Sequence, residues 1–401
     1  MVLNGNTVEL AGVVNTGDSL EITAPTDITG RITISGNISN SNGNLLVNAR
    51  EISATGILTN NSGTTTIRGS DTAGSTVSLG GVNVDGGTVN LNALVGGATI
   101  TNGLSVTGGA LNIDGTTYAL TAGDSIQING NFTASGVAAL GAGNVNVAVS
   151  GPRGFIMKSN TGAITIDGDV SATDNAAARS AQFDAATIEI GQNVLAENKG
   201  TLIFGGTASD KLTVAGSVSA NNGGTVEIYS DDADVGSLSG NGAFIAHGTQ
   251  ITATTGAIDI QNGVWFDGTS QTTGLIVRDT NDLTLKTATA GQDINLAGGI
   301  TIGAGNRLGV NSANAVAISG LVNTTGTLDV DAITTATFNN AITNGGTLTV
   351  NAQTIDAQDI TNTATANLTA TGDITTNNIT NSSDFTINGA TIIAGAVDST
   401  A

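Results

Sequence analysis

The 401-residue chain has no cysteine, two prolines, one histidine (His247), one tryptophan (Trp265) and 3% aromatic residues. Each scarcity excludes something. Without cysteine there are no disulfides, iron–sulfur clusters, zinc–thiolate sites or thiol nucleophiles. A lone histidine gives zinc and haem almost nothing to bind, and it confines any Ser-His-Asp arrangement to His247. That residue lies in GAFIAHGTQIT, beside an apolar run and before a glycine, and reads as turn-proximal or partly buried. Charged residues are only 11%, and 11 basic against 32 acidic side chains leave a formal charge of −21. Nucleic acid is therefore not an expected partner, and anionic membranes repel the chain. No stretch approaches the ~18 consecutive apolar residues that span a bilayer. The opening VLNGNTVELAG alternates like a strand and lacks the parts of a signal peptide.

What the chain has is glycine, 57 residues of it, with Asn, Thr, Ala, Ile and Val, the vocabulary of short strands and tight turns. It also repeats. Leu328-Asp-Val330 recurs as Leu348-Thr-Val350 and, weakened, as Leu368-Thr-Ala370. A second element interleaves with it: Leu321-Val-Asn323, Ile342-Thr-Asn344, Ile360-Thr-Asn362 and Ile379-Thr-Asn381. Near the start, Ile38-Ser-Asn40 and Leu58-Thr-Asn60 keep the same separation, as do Gly43 and Gly63. A shorter pattern of glycine, Thr or Ala, an aliphatic, any residue and another apolar begins at Gly87, Gly109, Gly162, Gly200, Gly224, Gly256, Gly326 and Gly346.

Alternation within each motif is strand periodicity, and glycine and asparagine break the strands after a few residues. About 20 residues in two or three short strands close one coil of a solenoid, and each coil pairs in parallel with the next at ~4.8 Å. The expected fold is all-β: a parallel β-helix of about 20 residues per coil and roughly 20 coils. It forms one continuous body over 1–401, with an irregular, protruding segment at 151–200. Leu328, Val330, Leu348, Val350, Ile342 and Ile360 are the expected inward ladder, and most phenylalanines are expected in the interior. Asp174–Phe183 is the one helical candidate.

Coils such as GTLTVNAQTIDAQDITN (346–362) and NLTATGDITTNNITN (367–381) resemble the repeats of filamentous-haemagglutinin-type adhesins and autotransporter passengers. The resemblance implies a right-handed parallel β-helix displayed on a bacterial surface. Asn40–Gly43 (NSNG) resembles the N-P-N-G element of the secretion domain in two-partner systems, with Ser41 at the proline position. An extracellular location is expected on this ground and on composition.

Candidate chemistry is sparse. Asp231, Asp232 and Asp234 form the densest acidic group and could offer oxygens to Ca²⁺, the one cofactor considered; the bland alternative is a solvated turn. Asp279 and Asp282 follow Arg278 in VRDTNDL, an ordinary surface ion-pair setting. Trp265 and Phe266 are adjacent, so in a strand one of them points outward as a small sugar-stacking platform. Arg153, Lys158 and Arg179 are the local enrichment of positive charge and, with Trp265, the expected contact residues. Neither terminus carries a cap, which fits either a window on a longer protein or end-to-end stacking of copies into a filament. The expected function is a non-enzymatic surface scaffold or adhesin that self-associates and meets a glycan or cell-surface receptor. The alternative is a β-helical polysaccharide-processing enzyme or a tailspike-like glycan binder.

Overall fold

The computed structural model describes residues 1–400 except 28, 71–74, 95–97, 102, 107–108, 129–130, 149–154, 159–162, 167, 174–178, 207–210, 267–270 and 272. At 93–94, 114–128, 131–148, 155–156, 158, 163, 173 and 179–180 it describes the backbone alone. The chain is an all-β parallel solenoid of about 15 turns, roughly 21 residues to a turn, and forms two compact units, Met1–Gly206 and Thr207–Ala401. The turns are fewer than the expected 20 because several carry insertions. Gln250 pairs with Thr284 and Ile258 with Ile294, separations far above the repeat.

In the first unit each turn stacks strand on strand in parallel. Leu45 lies against Thr65, Thr65 against Val89, and Val89 against Leu111. Ile32, Ile52 and Val77 form a second ladder, and Ile38, Leu58 and Val82 a third. All of these residues are buried. Each fully enclosed aliphatic contributes roughly 1.5–3 kcal/mol. One corner is a ladder of glycines. Gly43, Gly63, Gly87 and Gly109 all have φ near +70°, and a Cβ on each of the last three would fall about 2 Å from the carbonyl oxygen of the glycine one turn before. Those same carbonyls accept from the NH groups of Thr64, Thr88 and Ala110, so a side chain there would push apart the hydrogen bonds that join the turns.

In the second unit the regular turns run from Ile300 to Ser399. Leu308, Leu328 and Leu348 are in register, as are Val310, Val330 and Val350; Val322, Ile342, Ile360 and Ile379 form another row. All six expected ladder residues are buried. Two alignments differ from the sequence repeat. Leu368 lies against Val350, with Ala366 against Leu348, because that turn is two residues shorter. Val322, not Leu321, continues the Ile342 row, and Leu321 is 59% exposed. A one-residue slip reverses which face a side chain takes. The short glycine motif enters different sides of the coil: Gly87 and Gly346 open strands 88–94 and 347–352, whereas Gly256 precedes 258–260. This explains its uneven intervals.

Asparagines line one inner corner in each unit. Asn15 Nδ2 donates to Asn40 Oδ1 (2.9 Å) and Asn40 Nδ2 to Asn60 Oδ1 (3.0 Å). Asn344 donates to Asn362 (2.7 Å) and Asn362 to Asn381 (2.8 Å). Each amide thus satisfies the next turn's amide while its second N–H meets main-chain carbonyls, which lets it sit where water does not.

The helical candidate is corrected: among the described residues there is no helix, and Arg179–Asp184 is a strand. Phe183 turns into the core and stacks on Phe204, centroids 5.3 Å apart. Burying that ring between turns outweighs a modest alanine-rich helical preference. Of the 151–200 segment, the strands Phe155–Lys158, Ala163–Ile166 and Asp169–Thr173 join the parallel ladders, as do the strands from Arg179 onward, and the remaining positions up to 178, Gly168 apart, are outside the described residues.

One stretch breaks sequential order. Strand Gly274–Val277 pairs with Ala243–Ala246 on one side and with the earlier strand Val264–Phe266 on the other; Val264–Phe266 in turn pairs with Ile300–Ile302. The chain therefore lays down one strand, then doubles back to slip another beneath it. An additional rung stands on this side of the coil, while the other two sides step directly from Ile251 to Leu285 and from Ile258 to Ile294.

Candidate functional site

The inserted rung creates a place where unlike polar side chains converge. Ile228, Ala246 and Val277 are in register, so Tyr229, His247 and Arg278 occupy the next position on three successive rungs, just past the strand ends. Main-chain bonds fix that alignment: His247 N donates to Ile228 O (3.0 Å) and Arg278 N to Ala246 O (2.8 Å). The His247 ring lies flat on Tyr229, with centroids 3.8 Å apart and planes 9° from parallel. Asp279 follows with φ of +58°, a left-handed turn that aspartate tolerates and that aims its carboxylate back at His247.

His247 is 4% exposed, and both its ring nitrogens face carboxylates: Nε2 lies 2.8 Å from Glu227 Oε1 and Nδ1 2.7 Å from Asp279 Oδ2. Both ring nitrogens are thus taken up by carboxylate oxygens, which fixes the orientation of the ring. The ring is held between these two carboxylates and the face of Tyr229. Glu227 also accepts from the Tyr229 hydroxyl (3.0 Å). The His247 hydrogen bond, opposed by burial and helped by Tyr229 and by the charges of His247 and Arg278, holds the Glu227 carboxyl below its ordinary range. Burial, then the neighbouring Glu227 charge, raises the Tyr229 phenol. The cluster ties three rungs together through groups that are already saturated by one another.

Beside it opens a recess of about 410 Å³ lined by Phe266, Val277, Arg278, Asp279, Thr280, Asn281 and Asn306. A larger, more open groove of about 510 Å³ crosses the regular turns over Lys286, Asn311, Asp331, Ile333 and Asn351. Its polar groups are partly spent locally, with Asn351 donating to Asp331 (2.8 Å) and the Ser312 hydroxyl to Gln292 and Ala315 carbonyls. Arg307 bridges Asp282 and Asp329 across turns (3.0 and 2.7 Å).

The expected Ca²⁺ ligands do not gather. Asp232 and Asp234 stand on the outward side of strand Asp232–Gly240, around the buried Ala233; Asp232 accepts from Gln250 (2.9 Å), and Asp234 lies 3.9 Å from Lys211. Asp231 is exposed and its carbonyl, not its carboxylate, bonds Gln250. Among the described residues no group of three or more His, Asp or Glu is placed to hold a metal ion. Trp265 and Phe266 are both half-buried, so neither is the free platform expected; the indole N–H is buried without a partner among the described residues. Of the expected positive contacts, Arg153 lies outside the described residues, as do the side chains of Lys158 and Arg179.

Sequence reasoning misses Glu227, Tyr229 and Asn306. A signal is present for two of them: GTVEIYS and GAFIAHG align residue for residue on the Gly224 motif, which stacks Tyr229 under His247. Asp279 cannot be found this way, because the doubled-back strand that delivers it has no counterpart in the repeat. No family model, curated protein or solved structure matches this chain.

Proposed function

We propose that the chain is a non-catalytic β-solenoid working outside the cell as a rigid scaffold or adhesin, in the manner of filamentous-haemagglutinin-type adhesins and autotransporter passengers. One observation carries the reading: the polar groups most able to do chemistry are consumed in joining turns. Both ring nitrogens of His247 are taken up by carboxylates, and Glu227 also accepts from Tyr229, so the pair turns no nitrogen of the ring towards a substrate. The buried asparagines serve the same end. Association of copies end to end belongs to this proposal, because a rung recognises its neighbour through backbone hydrogen bonds and accepts another rung of like pattern.

The test is twofold. Incubated with acidic and neutral polysaccharides, the purified chain should release no new reducing or unsaturated ends. Electron micrographs should show fibres that lengthen with protein concentration. Glycan cleavage that disappears in Asp231→Asn, Asp232→Asn would replace this reading with the polysaccharide-processing one. Monomers at every concentration would remove self-association alone.

A further inference from the structure

The recess beside the His247 cluster contains a guanidinium with nothing to hold. Arg278 makes no side-chain hydrogen bond or ion pair among the described residues, although its neighbours Glu227 and Asp279 both bond His247. A half-buried arginine gives up part of its hydration and ordinarily recovers it from a carboxylate in fork geometry. Here the Glu227 and Asp279 carboxylates are turned towards His247, and Arg278 lines the recess.

The rest of the lining narrows the ligand. Asn281 and Asn306 offer two amides, each able both to donate and to accept, the capacity that vicinal hydroxyls require, while the Thr280 hydroxyl is engaged with the main chain of Asp282 (3.0 and 3.2 Å). Among the described residues, neither the Asn281 nor the Asn306 side-chain amide is engaged in a hydrogen bond within the protein. Phe266 supplies one apolar wall, and a volume of about 410 Å³ accommodates one or two sugar-sized rings. The chain's −21 does not bar an anion here: Arg278 is a cation of the lining, and the Glu227 and Asp279 carboxylates are turned to His247.

We propose that this recess binds a carboxylated sugar, a uronic-acid-type residue of an acidic glycan. Its carboxylate sits on Arg278, its hydroxyls on Asn281 and Asn306, and its ring edge against Phe266. This rests on the adhesive reading above and gives it a ligand class; it involves no bond making or breaking.

The test uses the full chain and three probes: glucuronic acid, glucose and acetate, titrated calorimetrically and by side-chain amide NMR. Glucuronate should bind at least about tenfold more tightly than either of the others, because only it meets both the guanidinium and the amides. It should move the Asn281 and Asn306 side-chain amide signals. Arg278→Gln should reduce glucuronate to the level of glucose, and Asn306→Ala should weaken it several-fold, with circular dichroism and melting temperature unchanged. Equal binding of glucuronate and glucose, equal binding of glucuronate and acetate, no binding of any probe, or full affinity in Arg278→Gln would each overturn the proposal. Should Arg278→Gln misfold, the amide shifts of the unaltered chain decide alone. None of these failures touches the scaffold reading, which stands on fibre formation and the lack of cleavage.

Discussion

The turns from Val322 to Ser399 and the stretch from Glu227 to Asp282 use the same parallel rungs, yet they dispose of their polar side chains in opposite ways. In the first, like stacks on like: Asn344 bonds Asn362 and Asn362 bonds Asn381, one turn on each time, a pattern that extends as long as the sequence repeats. In the second, Tyr229, His247 and Arg278 fall at one position on successive rungs and are all different, so their bonds close on themselves and stop. Arg278 is where that closure leaves a donor over. Repetition yields an extensible body; its interruption yields a place with chemistry of its own.

The comparison breaks most sharply at the core of the regular turns. Val350 lies fully buried between Val330 and Leu368. Val350→Asp should cost about 4 kcal/mol or more by burying an unpaired charge. Thr349→Lys, on the outward side beside Asp329, should leave the melting temperature nearly unchanged. Similar thermal shifts for the two variants would show that inside and outside have been assigned wrongly.

Next in size is the asparagine ladder. Asn362→Ala strips Asn344 of its acceptor and Asn381 of its donor, both in buried positions, and should cost about 2–4 kcal/mol in denaturant unfolding. Asn377→Ala removes a hydrogen bond to Gln358 at the surface and should fall within about 0.5 kcal/mol of the parent. If the two cost the same, the buried ladder contributes nothing that a surface amide does not.

The irregular stretch is sharpened by pH. Glu227→Gln keeps shape and hydrogen-bonding size but removes the buried carboxylate partner of His247, leaving that ring only the exposed Asp279, and should destabilise by about 2–3 kcal/mol near neutrality. Because the folded Glu227 carboxyl is held below its usual 4.5, its contribution is complete above that value and fades as pH falls below it. The melting-temperature gap between parent and variant should therefore narrow on acidification from about pH 5 downwards; a gap that widened would reverse the assigned sign. Asp279→Asn, at a carboxylate 75% exposed, should show a much smaller effect at every pH.

The same contrast explains what can be read from sequence. The solenoid, its period and the rows of Leu328, Val330, Leu348 and Val350 follow from alternation and spacing, which stacking reproduces directly. Spacing alone errs by small slips, as at Leu321 and Leu368, since turns lose or gain residues at corners without disturbing the pattern inside a strand. Asp174–Phe183 misleads because its alanines carry helix propensity while its value to the fold lies in one ring, Phe183, packed between turns. The candidate site is largely invisible: Asp279 and Arg278 reach His247 only because strand 274–277 is laid down out of order, and no local residue pattern encodes a doubling back.

The smallest effect probes the junction where the two regimes differ. Thr324 stands in register with Asn344, at the position the asparagine row would occupy one turn earlier, and its hydroxyl is buried without a partner among the described residues. Thr324→Val replaces it with a methyl group of the same size and removes the unmet hydrogen bond, so it should stabilise the fold by up to about 1 kcal/mol. Thr324→Asn tests whether the row can grow, since the introduced amide would lie over Asn344 as Asn344 lies over Asn362. A melting temperature raised by the valine variant alone would mean that the corner at Thr324 has already lost the geometry of the ladder. A gain from both would mean that the repeating body could be extended towards the irregular stretch by sequence alone.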